Sequence, residues 1–342
     1  MKRILYIVFA GLLLVLSWNC NLLIYGVRQG IGQAKILWKS VPVEKVVKDS
    51  QIPDSVKQKL VLIQEIKKYT EDSLGFKPTK NYTTFYDQQN KPLLWVVTAC
   101  PHFSLEEYKW KFPFVGNVGY IGFFKKELAV KEAAKLRKKQ YDVAIDEVNA
   151  WSTLGWFKDP VLSSMLSKPE GELCNLVIHE LTHTTVYFKG NNDLSENLAT
   201  FVGHQGTLRF LSYKYGKKSH EYNTYLQKHN DVTKISLHIL RGANRLDSLY
   251  KSEWFQKADS LQKQQLKRNL IKEVISQIDT LQLYHPESFY NLQSKADSIN
   301  NAFFAGFKMY RAAQPQIDSI FRNHCGSNIK KLIEYYQNNY GE

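Results

Sequence analysis

The chain has 342 residues, 44% of them hydrophobic and 23% charged, so it can bury a core and is not a disordered polymer. Its net charge of +14 is spread along the chain without a zinc-finger or RNA-binding signature, which argues against a nucleic-acid partner and favours a diffusely basic surface. The cysteines form no CxxC pair and are too sparse for a disulfide framework, although one bridge among Cys100, Cys174 and Cys325 stays open.

The N-terminus has the layout of a signal peptide. Lys2 and Arg3 precede an apolar stretch from Ile4 to Trp18. Extended to Val27, the stretch is long enough to span a bilayer instead. A third interpretation makes Cys20 a lipidation site after cleavage, although "LSWNC" is a poor lipobox. A positive flank stays inside, so we expect the rest of the chain outside the cytoplasm.

The next segments alternate between helix and strand patterns. Residues 55–74 follow Asp54 as N-cap and carry apolar residues at helical spacing, which predicts a helix. "NYTTFYD" and "PLLWVVTA" flank the turn signal "QQNKP" and predict a β-hairpin. Strands near 119–124 and at 141–148 are predicted on either side of a helix within 125–140. The glycines of "VGNVGYIG" precede a strand, unlike those of a dinucleotide-binding loop.

A metal-binding pattern lies in "NLVIHELTHTTVYFKGNNDLSENLATF", which begins at Asn175. His179 and His183 are four residues apart, so on a helix they share one face about 6 Å apart. Two imidazoles there can share one metal in the tetrahedral geometry that zinc prefers. Glu180 is turned about 100° around the helix and can reach a metal-bound water, which predicts a general base.

Glu196 is the predicted third protein ligand of one Zn²⁺ per chain. It follows the loop "KGNND", whose Gly and Asn residues allow a tight reversal between two helices. A His, His, Glu set leaves a fourth position for water, which is the arrangement of a catalytic zinc site. Alternatively, Glu196 is a charge at a helix N-terminus, in a capping box with Asp193.

These residues resemble a family of predicted bacterial zinc aminopeptidases with a gluzincin-type HExxH…E signature, many of them predicted lipoproteins. Its members read approximately "HELAHQ…VY…NESFATFVG" where this chain has "HELTHTTVYFKGNNDLSENLATFVG". The resemblance also covers "FPFVGNVGYIGFF", "WSTLGWFKDPVLSSML" and "YGVRQGIGQ", and so spans most of residues 20–210. Cys20 falls at the family's lipidated cysteine, but Asn19 departs from that pattern and favours an uncleaved anchor. Ser195 replaces the Asn that commonly precedes the third ligand.

Other residues are candidates for supporting roles. Trp151 to Leu154 lie just upstream of the metal helix, either as an edge that pairs with substrate backbone or as a buried aromatic loop. The nearest candidates for a transition-state donor are Tyr120, Tyr187 and His204. Asn175, four residues before His179, is a candidate for a hydrogen bond behind the ligands.

The order of elements predicts an α+β fold, with a small, mainly antiparallel sheet, a zincin-type active-site helix pair and a large helical C-terminal block. The second helix of the pair is predicted from about 194 to 215. The expected divisions are a signal or transmembrane anchor (1–27), a juxtamembrane segment (28–53), a metallopeptidase core (54–216) and a helical C-terminal subdomain (217–342).

Two hypotheses about function follow. The first is a membrane-anchored zinc peptidase outside the cytoplasm of a bacterium, which hydrolyses peptides with a zinc-activated water. Aminopeptidase activity is what the resemblance implies, since the spacing alone does not indicate cleavage at chain ends. The second is a membrane-tethered binding or assembly protein with a structural metal site. Glu180 favours the enzyme, because a structural site needs no base. The oligomeric state stays open.

Overall fold

The computed structural model describes residues 20–112, 116–148, 158–311 and 313–340. Helices dominate these residues, and small sheets lie among them, so the predicted α+β class is confirmed. The α-helices are α1 (Cys20–Lys39), α2 (Val43–Lys48), α3 (Asp54–Ser73), α4 (Lys126–Arg137), α5 (Glu170–Thr185), α6 (Asn192–Tyr215), α7 (His220–Lys251), α8 (Glu253–Lys257), α9 (Ser260–Ser276), α10 (Tyr290–Ser294), α11 (Asn301–Arg311), α12 (Gln314–Asn323) and α13 (Ile329–Tyr340).

Within the described part of the chain, the strands form three small sheets. They are β1 (Val41–Pro42), β2 (Thr84–Tyr86), β3 (Leu94–Pro101), β4 (Trp110–Phe112), β5 (Gly116–Val118), β6 (Tyr120–Phe123), β7 (Tyr141–Val148) and β8 (Val161–Leu162). The strand orders are β1-β2-β8, β6-β3-β7 and β4-β5. All pairs are antiparallel except β2 with β8, so the sheets are mainly antiparallel as predicted.

The predicted hairpin of β2 with β3 is wrong. Gln89 and Asn90 do adopt positive φ angles of 53° and 58°, so the chain turns where the sequence indicates. The two strands then enter different sheets, since Phe85 pairs with Val161 whereas Trp95 pairs with Phe123 and Glu147. A turn signal predicts the reversal, but burial of each strand's apolar residues selects its partners.

The sheet β6-β3-β7 packs against α4. Ala129, Ala133 and Leu136 lie on one side of the helix and are buried against Val97 and Val143 of the sheet. Small residues on the helix allow it to lie close to the strands. The predicted strands near 119–124 and at 141–148, and the helix between them, are confirmed.

The C-terminal block is fastened to this sheet by a buried asparagine. The Asn301 side-chain amide donates to the carbonyls of Pro101, His102 and Ser104, each at 3.0 Å. The Tyr250 hydroxyl donates to Asn301 Oδ1 at 2.7 Å. Because every buried polar atom of this residue is used, the contact specifies how α11 meets β3.

The three described cysteines that could have formed a bridge, Cys100, Cys174 and Cys325, are all free and buried. They act as small apolar residues in separate parts of the fold.

Helix α1 packs along the outer edge of β6. The Tyr25 hydroxyl and the Gln29 side-chain amide both donate to the carbonyl of Gly122, at 3.0 and 2.9 Å. Among the described residues, no helix combines the length and apolarity needed to cross a bilayer. Residues 1–19, which hold most of the predicted signal or anchor, lie outside the described part of the chain.

Candidate active site

Helix α5 is the platform of the site. Acidic Glu170 and Glu172 occupy its first turn, where they stabilise the positive end of the helix dipole. Leu173, Val177 and Leu181 recur at helical spacing and are almost fully buried, so they form the apolar face of the helix. The face beside them carries the two histidines and Glu180.

A short reversal joins α5 to α6. Gly190 has φ +80°, a conformation that glycine adopts without strain. The buried Ser195 hydroxyl accepts from the Phe188 amide at 3.0 Å and donates to the Asn191 carbonyl at 3.1 Å, so it ties both ends of the loop. Asn191 is the N-cap, since its Oδ1 accepts from the Leu194 amide at 3.1 Å. The alternative capping box with Asp193 is therefore wrong.

The two helices approach closely at Gly203. A Cβ added there would lie 2.8 Å from Asn175 Oδ1 and 3.3 Å from Cβ of His179. The backbone carbonyl of Asn175 would lie only 3.2 Å from that Cβ, so a side chain at position 203 would crowd the part of α5 that carries the first histidine. Gly203 therefore sets the helix separation on which the ligand geometry depends.

This packing brings His179, His183 and Glu196 together. The two Nε2 atoms are 3.3 Å apart, and they lie 3.3 Å (His179) and 3.6 Å (His183) from oxygens of the Glu196 carboxylate. All the donor atoms fall within 4.8 Å of one another. His183 is buried, with 4% of its side chain exposed, whereas His179 and Glu196 keep 18% and 20%. The group thus opens to solvent on one side.

The charges of this group are complementary. Burial opposes ionisation of Glu196, but hydrogen bonds from the two histidines lower its pKa to about 2. Burial also opposes protonation of His183, and the adjacent Glu196 carboxylate nevertheless raises the pKa of that imidazole. A charged carboxylate faces two imidazole nitrogens, and such a group of donor atoms favours binding of a cation.

The donor set fits a zinc ion. Tetrahedral coordination with bonds of about 2.0–2.1 Å places donor atoms about 3.3–3.4 Å apart, close to the three separations observed. The other ring nitrogen of His183, the buried Nδ1, has no hydrogen-bond partner among the described residues. Two imidazoles and one carboxylate are the ligands of many catalytic zinc sites.

Glu180 lies beside the cluster but is not part of it. It is near enough to influence the pKa of His183 and of two tyrosines, Tyr82 and Tyr120. Within the described residues, no hydrogen bond or ion pair engages its carboxylate. A carboxylate without a fixed partner, next to a candidate metal centre, is available to accept a proton.

Tyr120 faces the site from β6. Burial raises the pKa of its phenol, and the carboxylates of Glu196 and Glu180 raise it further, so the hydroxyl keeps its proton. The residue as a whole is still 39% exposed. A neutral hydroxyl near both carboxylates can donate a hydrogen bond to a group bound there.

Tyr187 and His204, the other predicted donors, are already engaged. Tyr187 is four residues after His183, a spacing that predicts the metal face of the helix, but it follows the end of α5 at Thr185 and so does not lie on that face. Its hydroxyl donates to Asn192 at 2.7 Å. The His204 ring stacks on His229 with centroids 3.2 Å apart, and its Nδ1 lies 3.2 Å from the Tyr225 hydroxyl. Asn175 lies one helical turn before His179, and its buried Oδ1 has no hydrogen-bond partner among the described residues.

Two residues near the site carry no sequence signal. Tyr82 is fully buried with φ 62°, and its amide donates to Asp159 at 2.7 Å. Burial, with Glu180 and Asp159 nearby, raises the pKa of its phenol well above the usual value. The segment that includes the predicted Trp151–Leu154 edge lies outside the described residues.

Glu107 is the second. Burial and the nearby Asp193 raise the pKa of its carboxyl to about 7. Asp193 is three residues before Glu196 on α6, and so on the same side of that helix. Glu107 lies in the β3–β4 connection, far from Asp193 in the chain, so the fold and not a local pattern brings the two carboxylates near each other.

Residues 24–338 match a family model described as "Putative aminopeptidase". No curated protein and no solved structure matches the chain significantly. The matched residues include both helices of the site, every candidate ligand and Glu180. Since the match extends over most of the 342 residues, the chain belongs to the Putative aminopeptidase family.

Proposed function

We propose that this protein is a zinc-dependent aminopeptidase, anchored to a membrane by its N-terminal segment, with the catalytic domain outside the cytoplasm of a bacterium. Family membership supports a peptidase that acts on peptide substrates. The observation that carries the finer proposal is the convergence of His179, His183 and Glu196 beside a carboxylate, Glu180, that has no fixed partner among the described residues.

His179, His183 and Glu196 would hold the metal. When bound, zinc supplies a Lewis acid that lowers the pKa of a coordinated water to about 7 and polarises the scissile carbonyl. Residues of the chain carry out the proton transfers and stabilise the developing charge. Glu180 accepts a proton from the attacking water and later returns it to the leaving amine. The Tyr120 hydroxyl donates a hydrogen bond to the oxygen on which negative charge develops.

Cleavage at the amino terminus is supported by Glu107 and Asp193. Asp193 lies in the first turn of α6, three residues before Glu196, and Glu107 is near enough for the charge of Asp193 to raise its pKa. The ammonium group of a peptide would stabilise the ionised form of Glu107, whose pKa is raised to about 7 without it. A peptide whose amine is blocked lacks this interaction.

The N-terminal anchor rests on the sequence of residues 1–27 alone. Lys2 and Arg3 favour an orientation with the N-terminus inside. A reporter enzyme fused after Glu342 should be active outside the cytoplasm, and recovery of the native chain entirely in the cytosol would contradict the anchor.

The activity is tested with matched peptides that carry a free or an acetylated amino terminus. The native protein should cleave the free form, lose activity with a chelator and regain it when zinc is added back. His183→Ala should lose both zinc and activity. Glu107→Gln should raise KM for the free peptide several-fold. A native protein that binds zinc but cleaves no peptide in a library would favour the tethered binding protein instead.

A further inference from the structure

One side of α1 exposes a row of large apolar side chains. Ile24 is 46% exposed, Val27 55%, Ile31 65% and Trp38 92%. At 100° per residue these four fall within about 60° of the helix circumference, so they form one continuous stripe. Single exposed apolar residues are ordinary, but a stripe that ends in a nearly fully exposed tryptophan marks a surface for interaction.

The opposite side of α1 is fixed to the protein. Tyr25 and Gln29 bind the Gly122 carbonyl, and Ile36 is buried in the core. A Cβ at Gly32 would lie 2.2 Å from the ring of Phe124, so the helix is packed tightly against β6 and the residue after it. The apolar stripe therefore points away from the domain and cannot turn inward.

Basic residues border the stripe. Arg28, Lys35 and Lys39 are exposed and project between the apolar stripe and the packed face, and α1 contains no acidic residue. A helix with an apolar face that includes tryptophan and a Lys/Arg border is the type that lies in the interface of a membrane. The adjoining sequence, apolar from Ile4 to Trp18, leads directly into its first turn.

We propose that α1 lies along the surface of a bilayer that contains anionic phospholipid. The stripe of Ile24, Val27, Ile31 and Trp38 enters the boundary between headgroups and acyl chains, and the three basic residues contact phosphates. The proposal rests on the anchor part of the proposed function, because the apolar stretch from Ile4 to Trp18 delivers α1 to the membrane. Residues 20–27, the last part of the predicted anchor, then belong to α1 and lie along the surface instead of crossing the bilayer. The proposal adds a second contact, which fixes the orientation of the domain.

This contact has a consequence for the candidate site. Helix α1 is hydrogen-bonded to β6, and β6 carries Tyr120. A bilayer under α1 would therefore hold the Tyr120 edge of the site beside the membrane surface.

The test uses the full chain in vesicles of phosphatidylcholine and phosphatidylglycerol (3:1) with bromine-labelled acyl chains, which quench nearby tryptophans. Trp38→Phe should remove part of the quenched emission. Trp254→Phe, which removes another exposed tryptophan on α8, should not. Equal quenching in the native protein and in W38F would overturn the proposal. Trp18→Phe reports separately on the anchor, so quenching of Trp18 without quenching of Trp38 refutes the α1 contact alone.

A charge variant tests the lipid chemistry. Arg28→Gln/Lys35→Gln/Lys39→Gln should reduce the Trp38-dependent quenching by about twofold or more, since each basic residue near an anionic surface strengthens binding about fivefold. Pure phosphatidylcholine vesicles should have the same effect on the native chain. If Trp38 is unquenched and Ile31→Ser/Trp38→Ser abolishes self-association, the stripe instead binds a second copy, and the proposal is wrong.

Discussion

The backbone of Gly203 lies so close to Asn175 that a methyl group at Gly203 would approach Asn175 Oδ1 to 2.8 Å. The same methyl group would lie 3.3 Å from Cβ of His179. Because Gly203 has no side chain, α6 can pack directly against the turn of α5 that carries His179.

Gly203→Ala should therefore separate α6 from α5. We expect a loss of about 1–3 kcal/mol in the free energy of unfolding, the usual cost of overpacking, and weaker zinc binding. Gly306→Ala on α11 is the matched control, because no described atom lies within 4 Å of its added Cβ and alanine is the better helix former. Urea unfolding and zinc titration of both variants check this. Unchanged zinc affinity in G203A would show that the helix separation does not set the ligand geometry.

Ser195→Ala should loosen the loop that precedes α6 and so the position of Glu196. The variant leaves the buried Phe188 amide without its acceptor, which costs about 1–3 kcal/mol. Ser276→Ala, which removes an exposed hydroxyl bonded to the Glu273 carbonyl, should cost far less. Thermal unfolding gives the comparison, and equal losses in the two variants would contradict the role given to Ser195.

Tyr120→Phe should lower kcat by about 10²-fold, the effect of removing one donor to a developing oxyanion, with little change in KM or zinc content. Tyr187→Phe, whose hydroxyl already binds Asn192, should change stability more than kcat. Steady-state kinetics on one peptide separate the two. An unchanged kcat in Y120F would assign the donor to another residue.

The stacked pair of His204 and His229 should make the fold sensitive to acid. Burial, together with the nearby Arg311, lowers their pKa values to about 3 and about 4. Unfolded histidine protonates near pH 6.5, so below that pH the unfolded chain binds more protons. The contribution of the neutral pair to the free energy of unfolding is therefore fully present above about pH 6.5 and is lost as the pH falls toward 4.

His229→Gln should flatten this dependence by up to about 1.4 kcal/mol per pH unit. His220→Gln, at an exposed position on the same helix, should not. Urea unfolding at pH 7.5, 6 and 5, with a chelator present so that zinc release does not contribute, checks the prediction. Parallel pH curves for native protein and H229Q would refute it.

Local patterns were sufficient to predict the helices of the site. Helical periodicity predicts that His179 and His183 share one face, because they are four residues apart. The glycine-containing loop before Glu196 predicts the reversal that brings this carboxylate to them. The same locality explains the errors. Strand β2 pairs with β8, in which Val161 lies far along the chain from its partner Phe85, and no short-range signal specifies that partner.

Tyr82 and Glu107 could not be predicted for the same reason. Tyr82 is placed by its bond to Asp159, and Glu107 comes near Asp193 only because the fold brings distant parts of the chain together. The position predicted for Tyr187 is wrong because its four-residue spacing from His183 predicts a shared face only on a continuous helix, and α5 ends at Thr185.

The most direct test of the account is zinc content and turnover of Glu180→Gln beside Glu196→Gln, with a peptide that the native protein cleaves. Glutamine at position 180 keeps the size of the side chain but cannot accept a proton. We predict that E180Q keeps one zinc per chain and its native stability while turnover falls by about 10²- to 10⁴-fold. E196Q should lose zinc affinity and activity together, because a neutral amide is a poor zinc ligand. Normal turnover in E180Q would contradict the assignment of the general base.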